Sequence, residues 1–261
     1  MKVTCIQMDM AFGRPEDNFR KAEALIEAAM AEHPDVLVLP EMWNTGFFPK
    51  ENLKALCDRD GYRVKTEIGA LAKKFSVNIV AGSVADLRDG KVYNTAYVFD
   101  RKGQCVAAYD KTHLFSPMGE DQCFTPGDRL CRFTLDGINS GLVICYDIRF
   151  PELSRSLAVE GIDVLFLVSQ WPRQRISHLQ TLSAARAIEN QIFLVCCNSC
   201  GTAENTVFGG NSAIYDPLGN TLAQASEQEI LLHAQLDFSI LQNIRTSINV
   251  FADRRPELYR M

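Results

Sequence analysis

Three reactive side chains each close a short apolar run: Glu41 ends VLVLPE, Lys111 lies in AAYDKTH, and Cys145 lies in GLVICYDIRFPE. Brought together, a carboxylate, an ammonium and a thiol can open a carbon–nitrogen bond. The thiol attacks, the carboxylate shuttles the proton, and the ammonium donates to the carbonyl oxygen as it becomes an oxyanion. Cys145 stands between an apolar strand and a helix opening near Pro151, and helix-end amides at such a turn favour the thiolate. The backbone N–H of Tyr146 is then a second oxyanion donor. Glu41 follows five uncharged residues, and desolvation there raises a carboxyl pKa toward the range useful to a base. Lys111 offers a fixed ammonium to both the carboxylate and the oxyanion. Glu120, nine residues on, is within reach of that ammonium if the intervening loop folds back. Each residue also has a plainer reading: a structural or surface carboxylate for Glu41 and Glu120, a solvated lysine for Lys111.

The surroundings suggest how a substrate is held. Arg149, four residues after Cys145, can grip a carboxylate with its planar fork, or else pair with Glu152 or Asp147. Trp171, Phe47 and Phe48 read as pocket walls or as core. Arg186, Glu189 and Asn190 share a helix and read as a structural network. A cysteine–histidine pair using His113 or His178 is a competing nucleophile arrangement. His33 and His233 lie in a loop and a terminal strand, with no local case for either.

The elements that must position these groups alternate from the start. Strand patterns fall at 2–10, 36–41, 77–86, 91–100 and 104–113, with two more inside 132–147 and others at 162–169, 191–199, 210–217, 219–226 and 229–237. Helical spacing covers roughly 16–32, 62–75, 151–160 and 175–190, with Pro151 opening the third. Asp89-Gly90, Lys102-Gly103 and Pro217-Leu218-Gly219-Asn220 are turn signals. Each half thus predicts one sheet with helices on a single side. Two such sheets bury their bare faces against each other, so the predicted fold is α/β, a four-layer α-β-β-α sandwich of two mixed sheets. Residues 1–261 read as a single domain. Residues 238–261 read as a short helix and an arginine-rich tail, either a frayed terminus or an arm onto a partner subunit.

Composition narrows the function class. The chain has 261 residues, 47% of them hydrophobic, and a net charge of -5 from well-mixed signs. It shows no basic stripe for nucleic acid and no polybasic patch or spanning run for a membrane. A polar start with Asp9 and Arg14 fits no secretory signal, so a cytoplasmic protein is expected. The 9 cysteines lie mostly in strand-like runs. Cys197 and Cys200 have CxxC spacing but no second pair, so buried thiols are expected rather than a metal site.

LPE followed by an aromatic, DKxHL, and CYDxRFPE in that order resemble the nitrilase, or carbon-nitrogen hydrolase, superfamily. SARAIENQIFLV (183–195) and GNSAIYDPLGN (210–220) extend the likeness over essentially the whole chain. The resemblance implies a Glu41–Lys111–Cys145 triad with Glu120 as second glutamate, an α-β-β-α fold, no metal or organic cofactor, and a homodimer formed through the helices bearing the catalytic turn. The chain looks most like the ω-amidase branch, which implies hydrolysis of 2-oxoglutaramate or 2-oxosuccinamate to a 2-oxo diacid and ammonia. THLFSPMGEDQCF and SQWPRQR look closer to a bacterial subgroup associated with methionine salvage, and other ω-amidases carry a longer insertion between the lysine and the second glutamate. A nitrile, an N-carbamoyl amino acid or an aliphatic amide are alternative substrates for the same triad. An inert binding protein on the fold is the reading from a different class.

Overall fold

The computed structural model describes residues 1–259. The first half runs β1 (Lys2–Gln7), α1 (Pro15–Ala29), β2 (Val36–Val38), α2 (Leu53–Leu56), β3 (Asp58–Arg59), α3 (Tyr62–Phe75), β4 (Asn78–Arg88), β5 (Lys91–Phe99) and β6 (Cys105–Asp110). After α4 (Glu120–Cys123) come β7 (Arg132–Leu135), β8 (Ile138–Ile144), α5 (Pro151–Val159), β9 (Val164–Ser169), α6 (Ile176–Asn190) and β10 (Phe193–Asn198). The chain closes with β11 (Cys200–Ala203), β12 (Thr206–Gly209), β13 (Ala213–Tyr215), β14 (Thr221–Gln224), β15 (Ile230–Gln235) and α7 (Ile240–Ser247).

Two mixed sheets form, ordered β15-β1-β2-β4-β5-β6, with β3 on β4, and β14-β13-β10-β9-β8-β7. Side-chain alternation along the strands sorts the layers. Along β2 and the residue after it, Val36 and Val38 face the second sheet, whereas Leu37 and Leu39 face the helices. In β9, Val164, Phe166 and Val168 point inward and Leu165 and Leu167 outward. The outer face of the first sheet is covered by α1 and α3 through Phe19, Ile26, Val64 and Ile68. Leu157 and Leu179 of α5 and α6 cover the second. This is the α-β-β-α sandwich expected of the sequence.

Local signals explain several boundaries. Pro15 and the acidic Glu16 and Asp17 start α1, where a missing N–H costs nothing and the helix dipole favours negative charge. The helical run ends at His33, left-handed at φ 49, immediately before Pro34.

One expectation is corrected. The halves do not each keep their own sheet: β15 crosses to the first and pairs antiparallel with β1, from Lys2↔Gln235 to Gln7↔Ile230. The pairing covers what would otherwise be the open edge of β1 and brings Leu232 into the inner core. The C-terminal segment is tied down rather than frayed at its start. Arg245 of α7 bonds Asp163 and the Ile162 carbonyl, both at 3.0 Å, and Gln191 Nε2 donates to the Ile248 carbonyl at 2.8 Å. Residues 260–261 of the predicted tail lie outside the described residues. No helix among the described residues is long and apolar enough to cross a membrane.

Candidate active site

Glu41, Lys111 and Cys145 follow the C-terminal ends of β2, β6 and β8, as Gln170 and Trp171 follow β9. Side chains in the middle of these strands are consumed by packing, so the strand ends are where reactive groups can face a cavity. Glu41, Lys111, Cys145 and Glu120 line one pocket, together with Tyr146, Phe47, Arg149 and Trp171. Eight residues read from the sequence as catalytic or substrate-facing therefore meet there, and Phe48 joins them.

Within it, Lys111 Nζ donates to Glu41 Oε1 at 2.9 Å and to both carboxylate oxygens of Glu120, at 2.9 and 2.8 Å. The three side chains are 2–3% exposed, so their attraction is little screened by water. Breaking such a buried cluster by removing one member leaves an uncompensated charge, at a cost of about 3–5 kcal/mol. Glu120 also accepts from the Phe115 backbone N–H at 2.6 Å, which folds the 111–120 loop back over the ammonium.

Asn94 was not anticipated. Its carbonyl accepts from the Lys111 backbone N–H at 2.9 Å, while its Nδ2 donates to Glu41 Oε1 at 2.9 Å and Glu120 Oε1 at 3.2 Å. One β5 residue thus sets the spacing of all three charges. The available signal was a lone amide inside the strand pattern KVYNTAYVFD.

Asp147 was also missed as a positioning group. Fully buried, it accepts from the Ile144 backbone N–H (3.0 Å), Tyr109 Oη (2.8 Å), Thr112 Oγ1 (3.1 Å) and the His113 backbone N–H (3.0 Å). It therefore fastens the Cys145 turn to the chain on both sides of Lys111. Arg186 supports the same turn, donating from Nε to the Ile148 carbonyl at 3.2 Å and pairing with Glu189 at 2.9 Å.

Burial and charge set the ionisation. Burial raises the Glu41 pKa above the ordinary carboxylate value, and Glu120 adds to this against the opposing pull of Lys111. Burial acts to lower the Lys111 pKa, but Glu41 and Glu120 outweigh it and hold the group firmly protonated. Cys145 corrects an expectation. Burial and the adjacent Glu41 push its thiol well above the usual range, which favours the thiol over the thiolate. The reason lies in the turn. Cys145 opens a 3-10 segment ending at Arg149, and α5 begins only at Pro151, so α5 is offset from the sulfur while a carboxylate stands beside it.

The backbone at Cys145 is strained, at φ 50, in the left-handed region uncommon for a residue with a side chain. Met42 (φ 51) and Phe47 (φ 103), on the same pocket wall, share this region. Three buried polar atoms in pocket residues lack a protein partner: Glu41 Oε2, Gln170 Oε1 and Trp171 Nε1.

Arg149 pairs with neither Glu152 nor Asp147. It stacks on Trp171, 4.7 Å from the ring centroid, and reaches His178 Nδ1 at 3.3 Å. The histidine-based alternative fails on geometry. His113 is bound to Asp147 at 2.9 Å and stacked on Phe150, His178 is exposed beside Arg149, and neither lines the pocket with Cys145.

Comparison with known proteins agrees. The carbon-nitrogen hydrolase family matches residues 2–246. The chain is 43% identical over 257 residues, 98% of each sequence, to the 2-oxoglutaramate amidase of Bacillus subtilis (strain 168). It is 37% identical, over 100% of each sequence, to a Staphylococcus aureus protein described as a hydrolase in the agr operon. The crystal structure of a carbon-nitrogen hydrolase from Helicobacter pylori G27 superposes with a TM-score of 0.93 at 26% identity, covering 99% of this chain and 96% of that one. The chain therefore belongs to the carbon-nitrogen hydrolase family and acts on carbon–nitrogen bonds other than peptide bonds.

Proposed function

We propose that the protein hydrolyses the terminal amide of a short 2-oxo acid monoamide, 2-oxoglutaramate or 2-oxosuccinamate, to the 2-oxo diacid and ammonia. The observation that carries this reading is a partnerless Glu41 oxygen, Oε2, on a carboxylate held between Lys111 and the Cys145 thiol. The likeness to a 2-oxoglutaramate amidase supports the substrate class.

In the first step Glu41 takes the Cys145 proton as the sulfur attacks the amide carbon. The tetrahedral oxyanion is met by Lys111 and the Tyr146 N–H. In the resting site every Lys111 donor faces a carboxylate, so the ammonium acts first as a charge, and one hydrogen bond shifts from Glu120 as the oxyanion forms. Collapse breaks the carbon–nitrogen bond, and protonated Glu41 returns its proton to the departing ammonia, leaving a thioester. Water then attacks the thioester carbon with Glu41 again as base. The second tetrahedral oxyanion collapses with cleavage of the carbon–sulfur bond, Glu41 returns its proton to the sulfur, and the product leaves as the carboxylate, its proton passing to the released ammonia.

Gln170 Oε1 is a further free acceptor on the pocket wall, suited to the amide N–H of the substrate. Arg149 grips the substrate carboxylate, while Trp171 and Phe47 wall the chain of the substrate. The same reading includes a cytoplasmic enzyme acting as a homodimer.

Cys145→Ala tests the mechanism. Ammonia release should fall by about four orders of magnitude or more, and substantial residual turnover would refute the nucleophile. A panel of 2-oxoglutaramate, an N-carbamoyl amino acid and a simple nitrile tests the substrate, and turnover of the nitrile alone would refute an ω-amidase.

A further inference from the structure

Charge is distributed unevenly along this pocket. Beside the sulfur the one ammonium, Lys111, is held between two carboxylates, Glu41 and Glu120. Away from the sulfur the wall carries donors without acceptors. Arg149 is stacked on Trp171 and reaches only His178, with no carboxylate partner among the described residues. Trp171 Nε1 is buried with no partner. Arg175 lies over the Phe115 ring, 5.0 Å from its centroid, lines the pocket, and has no ion-pair carboxylate among the described residues. Acids are not scarce, since the chain carries 32 Asp and Glu against 27 Lys and Arg. Most other arginines of the molecule have found one of these acids, as Arg173 two residues away has found Glu227 at 2.7 Å.

Resting on the reading of the protein as a 2-oxo acid amidase, we propose that Arg175 is a specificity-determining residue that binds the substrate's 2-oxo carboxylate and rejects the corresponding amino acid amide. A 2-oxo carboxylate presents only acceptors, the carboxylate and keto oxygens, to this donor-rich wall. Arg175 supplies a planar fork for two of them, and its face on Phe115 fixes the plane of the fork. The backbone of Phe115 is itself bonded to Glu120 Oε2, so the arginine is indexed to the catalytic charges by a single residue. Glutamine has the same chain length as 2-oxoglutaramate but carries an ammonium where the keto oxygen would be. That ammonium would face guanidinium groups of like charge and leave their donors unpaired, which is discrimination by repulsion as well as by attraction.

The experiment compares kcat and KM of the wild type, Arg175→Gln and Arg175→Lys on 2-oxoglutaramate, glutamine and the uncharged valeramide. In Arg175→Gln the KM for 2-oxoglutaramate should rise at least about tenfold, with kcat moving far less. The ratio of kcat/KM for 2-oxoglutaramate to that for valeramide should fall by at least about tenfold, and discrimination against glutamine should narrow. Arg175→Lys should lie between, keeping the charge without the fork. A wild type preferring 2-oxoglutaramate, with a ratio unmoved in Arg175→Gln, overturns the role of Arg175 alone. A wild type preferring valeramide overturns the substrate reading and this inference together. If thermal unfolding shows Arg175→Gln to be unfolded, the ratio in Arg175→Lys decides the matter in the same two directions.

Discussion

Burial governs how each ionisable group of the site works. In the proposed mechanism Glu41 must be deprotonated to accept the Cys145 proton, and its pKa is raised by burial and by Glu120. The sign follows directly: kcat/KM should climb with pH, about tenfold per unit below the midpoint, and that midpoint should lie above the ordinary carboxylate value of 4.5. Lys111 and Cys145 are both held protonated well beyond neutrality, so no loss is expected on the alkaline side between about pH 7 and about pH 9. A pH–rate profile on 2-oxoglutaramate checks both limbs. An acid limb centred at or below the ordinary carboxylate value would mean that Glu41 is not the base. At this scale the residue types were legible in the sequence, because a carboxylate, a lysine and a cysteine each stand out at the end of an apolar run. Their ionisation was legible only in part. Desolvation of Glu41 could be read from its neighbours, whereas the elevated Cys145 thiol depends on a carboxylate 104 positions away in the chain, as the numbering shows.

The element that aims Glu41 is a bulge in β4. The register with β5 shifts between Val80 and Ser83, and the bulge takes hold of the turn that follows β2. Ser83 N donates to the Pro40 carbonyl at 3.1 Å, Met42 N to Ser83 Oγ at 3.0 Å, and Trp43 Nε1 to the Ala81 carbonyl at 2.7 Å. Gly82 sits at φ 60, and a Cβ there would lie 2.0 Å from the Pro40 oxygen, adjacent to Glu41. Gly82→Ala should therefore destabilise the protein by at least about 2 kcal/mol and lower the melting temperature by about 5 °C or more. It should also reduce kcat by moving Glu41, whereas Gly90→Asn, at φ 76 in open space, should cost under about 1 kcal/mol. Calorimetry alongside the ammonia assay measures all three effects, and a Gly82→Ala enzyme with wild-type stability would remove the bulge from this account. The sequence segment VNIVAGSVAD reads as one unbroken strand, since an alternating pattern carries no mark of a one-residue bulge beyond the glycine itself. The hairpin of β11 and β12 went unread for a related reason, because Cys200–Ala203 and Thr206–Gly209 are too short and too mixed for a periodicity to show.

At the scale of the molecule, a band of apolar side chains is left uncovered around α5, α6 and the C-terminal segment. Val159, Ile188, Ile248 and Leu258 are all exposed, and α5 and α6 are joined through Arg155 Nη2 donating to the Glu189 carbonyl at 2.6 Å. The proposed homodimer would cover this band. Val159→Glu combined with Ile188→Glu should give a monomer by light scattering. It should also lower kcat several-fold, because Arg186 of α6 supports the Cys145 turn from the same helix pair. A wild type that is monomeric at assay concentration would rule the dimer out.

The layered fold and the residue types that come to line the pocket could be read from the chain because both are local matters. Period-two and helical spacing, turn residues, and charges placed at strand ends are encoded within a few residues of each other. Three features required the packed molecule: the transfer of β15 to the edge of β1, the bridging of Glu41 and Glu120 by Asn94, and the placing of Arg175 on the pocket wall without an ion-pair carboxylate among the described residues. Each is a relation between segments far apart in sequence. Local pattern holds no record of it, because such neighbours are chosen only when two sheets close on each other and every buried polar group must find a partner or wait for a ligand.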